Sequence, residues 1–360
     1  MATHIWAGLD GLRGIAVLAV LVFHASMGWA VNGYVGVDIF FCLSGFLITW
    51  LLLEEHSQSG RVDLRAFYVR RVLRLYPALV AAILGVMVLG VAVGDPGRVA
   101  PGGVAALFYL ANWWLYTGHH ALLLEHTWTL SLEEHFYFVW PPLLALLVAH
   151  SRRWRTVGVL GIVTLLVVLL VPWSESIDAV RGSYLRGMPI VWGCVLALAL
   201  HARRPGRPAR LLANVAALPA TVVLLVVLVV PHRLPEVWLT GLRSIPGVLS
   251  VVVVSGVILA PRSWTARGLS WSPLTWMGRR SYGLYLYHFA ILSVFLHQVP
   301  YPASETVRGL AGMVVSILVA AASYRWLEKP FLRLKDRIAD RSVPTLDARD
   351  PALGMRGPDA

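Results

Sequence analysis

An arginine and a histidine lie within the first apolar stretch of the chain, residues 9–30, which is long enough to cross a bilayer. Arg13 is near one end, and His24 follows eleven residues later. At about 100° per residue, this spacing puts both side chains within roughly 20° of each other on a helix, about 16 Å apart along its axis. Ionisable groups at membrane depth are costly and by default mark a functional path. The alternatives are that Arg13 extends to the interface and that His24 bonds a neighbouring carbonyl.

Further polar residues are expected close to this pair. Asp10 is placed to cap the first helix and to pair with Arg13. Because imidazole titrates near neutral pH, a neutral His24 can take a proton from a hydroxyl group. Asp38 lies near the end of the second apolar run that His24 approaches, where it either orients the His24 ring or is an interfacial carboxylate. Ser44 is interpreted as a small residue that lets helices pack closely, rather than as a nucleophile.

A basic cluster with aromatic neighbours occupies residues 67–77, FYVRRVLRLYP. Arg70 and Arg74 share a helix face because they are four residues apart. One interpretation of these arginines and Arg71 is that they anchor the cytoplasmic end of a helix. The other is a site for a polyanionic ligand, since arginine binds phosphate groups through paired hydrogen bonds.

A second dense cluster occupies residues 126–137, HTWTLSLEEHFY. Glu133 and Glu134 begin an apolar run, and a helix N-terminus favours carboxylates. Ser131 and Glu134 also fit a capping box. Capping does not explain the histidines and Trp128 around the two glutamates, so this cluster is a candidate functional site.

The composition indicates a polytopic protein of the cell membrane. Of the 360 residues, 58% are hydrophobic and 14% are charged, whereas soluble domains carry about 25% charged residues. The net charge of +12 lies mainly in short loops between apolar runs, which is typical of topology signals rather than of nucleic-acid binding. Cys42 and Cys194 lie in apolar runs, so we expect neither a disulfide framework nor a metal site.

Basic loops decide which apolar runs cross the membrane. The segment 102–117 has an interfacial composition in its second half, so we expect it to be re-entrant or interfacial. With both termini cytoplasmic, 23 of the 31 basic residues then lie on the cytoplasmic side. The predicted fold is an all-α polytopic membrane protein with about ten transmembrane helices. The candidate spans are 11–30, 35–53, 77–93, 135–150, 156–172, 187–201, 211–231, 244–260, 282–298 and 307–327.

The chain is predicted to hold one integral membrane domain, residues 1–335. Residues 336–360 are polar and rich in proline and glycine, and we expect them to form a disordered cytoplasmic tail. The sequence has no visible internal repeat, which argues against a transporter built from two related halves.

Six segments of the chain resemble the membrane-bound acyltransferase-3 family, in the family's order and over nearly the whole length. They are DGLRGIAVLAVLVFH, GYVGVDIFFCLSGFLIT, RRVLRLYP, TWTLSLEEHFY, SYGLYLYHF and SYRWLEKPF. Each segment is a weak signal, but six in sequence are a strong one. The resemblance implies about ten transmembrane helices with cytoplasmic ends, in agreement with the loop charges. Some members carry an extra extracytoplasmic domain at the C-terminus, which we expect this chain to lack.

The resemblance also assigns roles to single residues. Arg13 and His24 match the paired arginine and histidine of the family's first helix. Arg71 and Arg74 match its Arg-x-x-Arg motif, which is thought to meet the phosphates of coenzyme A.

The fourth and fifth segments match the family with two departures. Glu133 and Glu134 match its paired glutamates. His135 stands where the family commonly has glutamine, and the pair Tyr287-His288 stands where it often has Trp-His. The first departure affects the expected hydrogen bonding around Glu134.

The resemblance implies transfer of an acyl group, often acetyl, from acyl-CoA to a hydroxyl of a carbohydrate-containing acceptor. A transporter or flippase of a glycosylated or lipid-linked substrate is the alternative, because buried ionisable groups suit transport equally well. The expected partners are acyl-CoA as co-substrate, the acceptor and the bilayer. We expect no permanently bound cofactor and no nucleic acid.

Residue roles follow from that chemistry. We expect His24 to be the general base and Arg13 to hold the thioester or pantetheine end of the donor. Either Glu133 or Asp38 is expected to orient His24 or the acceptor. The nucleotide end of the donor is assigned to Arg70, Arg71 and Arg74. Acceptor contacts or structural support are assigned to Asp10, Ser44, Trp128, Glu134, Tyr285 and His288.

Overall fold

The structure is a computed structural model of the chain. It describes residues 2–26, 31–92, 96–120, 122–149, 185–202, 205–230, 233–235, 244–298 and 304–334. Every regular element in these ranges is helical, which confirms the predicted all-α class for this part of the chain. The predicted span 156–172 and the predicted tail 336–360 lie outside the described residues.

Thirteen α-helices are found in the described part of the chain. They are α1 Ala2–His24, α2 Gly36–Ser59, α3 Leu64–Ala92, α4 Pro96–Leu107, α5 Ala111–Tyr116, α6 Trp128–Ala149, α7 Met188–Ala202, α8 Arg207–Val229, α9 Ile245–Leu259, α10 Trp264–Leu269, α11 Ser272–Arg279, α12 Ser281–Ser293 and α13 Glu305–Ser323. Short 3₁₀ helices precede α2 and α6, at Gly33–Val35 and Leu122–Thr127. Wider π-type turns extend α12 and α13, at Val294–Gln298 and Tyr324–Glu328.

Five helical segments are long and apolar enough to cross a membrane. They are Trp6–His24, Gly33–Ser59, Leu64–Val91, Arg207–Val229 and Glu305–Leu334. Two shorter apolar helices, α7 and α9, coincide with further predicted spans. These segments make a multi-pass membrane protein plausible, while the number of ten crossings and the cytoplasmic termini remain predictions.

The segment 102–117 is not one continuous helix. It is divided between α4, of 12 residues, and α5, of 6 residues, and the chain turns at Tyr109, whose φ is 55°. At about 1.5 Å per residue, neither helix reaches the roughly 30 Å of a bilayer core. This agrees with the prediction that the segment does not span the membrane by itself; its interfacial position remains a prediction.

The first helix lies earlier in the chain than the apolar pattern predicted. It runs from Ala2 to His24, not from residue 11 to residue 30, and it ends where Ser26 takes a positive φ of 56°. A left-handed residue cannot continue a right-handed helix, so the helix stops although apolar residues follow. Asp10 therefore lies inside α1 rather than capping it, and His24 is the last helical residue instead of lying deep within the run.

Helix α1 is at the centre of the described structure. It contacts α2, α9, α10, α11 and α12. Its apolar side is fully buried, with Leu12 and Leu21 no more than 1% exposed. A helix enclosed on several sides holds its polar residues in fixed positions, so Arg13 and His24 are carried by a rigid element.

Helices α2 and α7 approach each other at the level of their backbones. A Cβ atom on Gly45 would lie 1.9 Å from the carbonyl oxygen of Ile190, and one on Gly193 would lie 2.1 Å from that of Cys42. No side chain fits at either position without moving a helix. This confirms the predicted close packing of helix backbones at the Ser44–Gly45 pair.

We expect Gly45→Ala to destabilise the protein by about 1–3 kcal/mol, because the added methyl group meets backbone atoms that cannot turn aside. The measurement is the midpoint of thermal unfolding in detergent. The matched control is Gly85→Ala in α3, where no atom lies within 4 Å of the new Cβ. Alanine is the better helix former, so the control is expected to match or slightly exceed the wild-type midpoint. Equal midpoints for the two variants would contradict the prediction.

Candidate active site

A cavity of about 330 Å³ lies between α1, α2, α3, α6 and α12. Its walls combine apolar side chains with charged groups from α1, α3 and α6. Eight of the residues predicted from the sequence line it. They are Asp10, Arg13, Ser44, Arg71, Arg74, Glu133, Glu134 and Tyr285. Helices α1, α2, α3, α6 and α12 therefore converge on one polar cavity, which we call the central cavity.

Arg71 and Glu134 form a two-pronged ion pair in the wall of the central cavity. Nε and Nη2 of Arg71 lie 3.1 and 2.8 Å from Oε1 of Glu134. The Arg71 guanidinium also lies 3.1 Å above the ring of Tyr137. Because α6 begins at Trp128, Glu134 is two turns into the helix and does not cap it, so the capping-box interpretation is wrong. The partner of Glu134 is Arg71, which donates to the carboxylate through both Nε and Nη2.

Glu133 joins α2 to α6. Its Oε1 accepts hydrogen bonds from the hydroxyl groups of Ser44 and of Tyr137. Tyr137 is one helical turn after Glu133, so its side chain can reach the carboxylate. Ser44 is therefore a hydrogen-bond donor as well as a small residue at a packed position.

Two guanidinium groups in the central cavity remain open to a ligand. Arg74 is exposed to the cavity and has no ion-pair or hydrogen-bond partner among the residues that the structure describes. Nε of Arg13 is buried without a hydrogen-bond partner. Arg70, by contrast, lies outside the cavity lining and pairs with Glu55 at 3.5 Å. Of the four arginines singled out in the sequence, Arg13 and Arg74 are therefore the two that line the cavity without a salt bridge in the described part of the chain.

His24 belongs to a cluster of three histidines that does not line the central cavity. Nε2 of His288 lies 3.3 Å from Nδ1 of His24, and this same Nδ1 lies 2.9 Å from the carbonyl oxygen of Val20. The ring of His126 is 5.2 Å from that of His288 and stacks on Phe289. In the ranges that the structure covers, these rings do not form a group able to hold a metal ion.

Tyr285 borders both the central cavity and the histidine cluster. Its ring lines the cavity and lies 5.4 Å from the ring of His288, one turn later on α12. Its hydroxyl is 2.6 Å from that of Thr129 and donates to the carbonyl oxygen of His126 at 3.1 Å. The same aromatic side chain is therefore in contact with both groups of polar residues.

Asp38 is fully buried, and its Oδ2 lies 3.8 Å from Arg186. Neither Asp38 nor Glu133 is a hydrogen-bond partner of His24 in the described part of the chain. The side chain that forms a hydrogen bond with the His24 ring is His288, on α12. Trp128, the first residue of α6, packs against the apolar cluster of Phe41 and Trp140, so its surroundings indicate support of the fold.

Sequence reasoning overlooked Tyr137 and Thr129 as site residues. Both line the central cavity, and Tyr137 contacts Arg71 as well as Glu133. Their positions on α6, one turn on either side of Glu133, were the available signal, because residues four apart share a helix face. The sequence pattern predicts no role for His126. In the structure its ring lies beside that of His288.

The chain matches the family model of an acyltransferase domain over residues 6–325. The match covers most of the chain, which therefore belongs to the acyltransferase-3 family, as its six segments predicted. No solved structure gives a significant match.

Two curated relatives are similar to this chain at nearly the same sequence identity. YrhL of Bacillus subtilis, named as a candidate peptidoglycan O-acetyltransferase, is 31% identical over 349 residues, which are 90% of this chain and 54% of that protein. The peptidoglycan O-acetyltransferase OatA of Listeria monocytogenes is 29% identical over 344 residues, which are 89% of this chain and 55% of the relative. The chain thus spans about half the length of these relatives.

Proposed function

We propose that this member of the acyltransferase-3 family transfers an acyl group, most simply acetyl, from acyl-CoA to a hydroxyl of a cell-envelope carbohydrate. The observation that carries the proposal is the central cavity, whose walls hold Arg13 and Arg74 beside apolar and aromatic side chains, with neither arginine in a salt bridge among the described residues. The names of the relatives suggest peptidoglycan as the acceptor.

The donor is proposed to bind in the central cavity. Its volume of about 330 Å³ is at the lower end for ligand pockets, so it suits the narrow pantetheine arm and the thioester rather than the whole coenzyme. Arg74 would bind a phosphate of the donor, since a guanidinium matches phosphate geometry. Arg13 would bind nearer the thioester. Arg71 takes no phosphate in this proposal, because its charge is already paired with the carboxylate of Glu134.

The transfer step requires a base for the acceptor. His24 takes the proton of the acceptor hydroxyl while the hydroxyl oxygen attacks the carbonyl carbon of the thioester. The carbon–sulfur bond of the resulting intermediate then breaks. The thiolate of coenzyme A leaves and recovers the proton from His24, and the acceptor carries the new ester. Because Tyr285 borders both the cavity and the histidine cluster, a movement of its side chain would open a path from the thioester to His24.

Binding of acetyl-CoA to the purified protein in detergent tests the donor half of the proposal. We expect Arg74→Ala to weaken binding by about 10–100-fold, because a charge-assisted hydrogen bond contributes about 1.5–3 kcal/mol. The matched control is Arg70→Ala. Arg70 is on the same helix, but it pairs with Glu55 instead of lining the cavity. The control is expected to change the dissociation constant far less.

Two outcomes would contradict the donor assignment. The first is an equal loss of binding in both arginine variants, which would indicate a general effect of positive charge. The second is no binding by folded wild-type protein, which would favour the transporter alternative.

A further inference from the structure

We propose that His288 is a positioning residue that holds His24 in one tautomer, with the hydrogen on Nδ1 and a free lone pair on Nε2. The importance of this arrangement for acyl transfer rests on the proposed function. The arrangement itself rests on three contacts: His24 with the carbonyl of Val20, His288 with the carbonyl of Tyr285, and the two imidazole rings with each other.

The tautomer of His288 is fixed by its own helix. Its Nδ1 lies 2.7 Å from the backbone carbonyl oxygen of Tyr285. A carbonyl oxygen only accepts hydrogen bonds, so Nδ1 of His288 must carry a hydrogen. His288 is 1% exposed, and a buried imidazole without a counter-ion is neutral because an unpaired buried charge is costly. Nε2 of His288 therefore has no hydrogen and can only accept.

The tautomer of His24 follows from two acceptors, the carbonyl oxygen of Val20 and Nε2 of His288. Nδ1 of His24 is 2.9 Å from the carbonyl oxygen of Val20 and 3.3 Å from Nε2 of His288. Both neighbours are acceptors, so Nδ1 of His24 carries a hydrogen and donates to them. In the neutral ring the lone pair is then on Nε2, which has no hydrogen-bond partner in the described part of the chain. His24 itself is only partly buried, so Nε2 is the atom that meets an acceptor hydroxyl.

His288 also limits the rotation of the His24 ring. The rings of His24 and His288 are 5.0 Å apart and inclined by 63°, and the ring of Phe289 lies 5.2 Å from that of His24. When Nε2 of His24 takes a proton, Nδ1 keeps its hydrogen bonds to Val20 and His288, so no donor or acceptor is lost in the step. This is the role that a partner of a catalytic imidazole has in other enzymes, and here it falls to His288 rather than to Asp38.

Two substitutions separate positioning from packing. In His288→Asn the short amide can still donate to the carbonyl oxygen of Tyr285 but does not reach His24. In His288→Gln the longer amide brings an oxygen to the level of Nε2, where it can accept the hydrogen of His24. We expect the asparagine variant to lose about 10–100-fold in kcat, the usual effect of losing such a partner, with the KM for acetyl-CoA unchanged. The glutamine variant is expected to recover most of the lost rate.

A spectroscopic measurement tests the tautomer without relying on activity. Protein labelled with nitrogen-15 histidine shows which ring nitrogens carry a hydrogen, and the signals of His24 are those absent from His24→Ala. We expect hydrogen on Nδ1 of His24 in the wild type and in His288→Gln. In His288→Asn the Val20 carbonyl is the one described acceptor left for Nδ1, so we expect a larger share of the tautomer with hydrogen on Nε2.

The outcomes distinguish this inference from the proposed function. Hydrogen on Nε2 of His24 in the wild type would overturn the inference, whatever the activity. Equal rates in the two His288 variants, with unaltered tautomers, would also overturn it. The expected tautomers in a folded protein that transfers no acyl group would support the positioning role of His288 and reject the proposed function.

Discussion

Replacing His24 with alanine is expected to lower the rate constant of acyl transfer by about 10²–10⁴-fold, the usual contribution of a general base. The acceptor hydroxyl then loses the group that takes its proton. The KM for acetyl-CoA should change little, because Arg13 and Arg74 lie in the central cavity and His24 does not. The measurement is the steady-state rate with acetyl-CoA and a carbohydrate acceptor, accompanied by a thermal unfolding curve.

His56→Ala is the matched control, since His56 lies in the last turn of α2, at the opposite end from the histidine cluster. This variant should transfer acyl groups at the wild-type rate. Folded His24→Ala protein with full activity would reject His24 as the base. A similar loss in both variants would indicate that removing any histidine impairs the preparation.

The fold class and the convergence of the charged residues could be predicted from the sequence. Both depend on residue types and on short spacings: the apolar runs indicate helices, and Arg13, Arg74 and Glu133 are too costly in a membrane to be incidental. The structure brings these three residues to one cavity. Their grouping therefore follows from composition and from the family segments, without any knowledge of how the helices pack.

The pairing of residues could not be predicted in the same way. Arg71 and Glu134 are 63 residues apart, and His24 and His288 are 264 apart. Such contacts depend on which helices are neighbours and on how each is rotated about its axis. Asp38 was predicted to orient His24 because both were expected near one side of the membrane. Depth in the membrane does not fix rotation, and Asp38 lies beside Arg186 instead.

The ends of helices were the other weak point of sequence reasoning. The apolar run continues beyond His24, yet α1 stops there because Ser26 adopts a positive φ. The residue that takes the left-handed conformation is a serine rather than the glycine usual at a helix end, so the usual signal was missing. The consequence reaches the proposed mechanism, since a histidine at the end of a helix is partly exposed and can meet an acceptor that arrives from outside the bundle.

The central cavity and the histidine cluster share two elements, α1 and α12. Helix α1 carries Arg13 and His24, while α12 carries Tyr285 and His288. A shift of α12 against α1 would therefore move Tyr285 and the partner of His24 together. In the proposed function, such a shift would open the path out of the cavity and at the same time change the position of the base, His24.

Replacing Arg71 with alanine is expected to lower the free energy of unfolding by about 3 kcal/mol, because it leaves the Glu134 carboxylate largely buried without its partner. The two side chains are only 13% and 18% exposed, so water replaces little of the lost interaction. Glu134→Ala should destabilise the protein similarly. The paired variant Arg71→Met/Glu134→Leu should recover much of the loss, since no unpaired charge remains. Denaturant or thermal unfolding in detergent measures all four proteins.

The same variants decide between two roles for Arg71. The family resemblance implies that Arg71 binds the phosphates of coenzyme A, whereas in the structure it pairs with Glu134. If the pair is structural, the folded fraction of the double variant should bind acetyl-CoA nearly as well as the wild type, while Arg74→Ala should not. If Arg71→Ala instead unfolds at the wild-type midpoint and loses affinity for acetyl-CoA, then Arg71 must leave Glu134 when the donor binds. In that case the ion pair is the resting state of a phosphate site, and the central cavity holds three arginines for the donor rather than two.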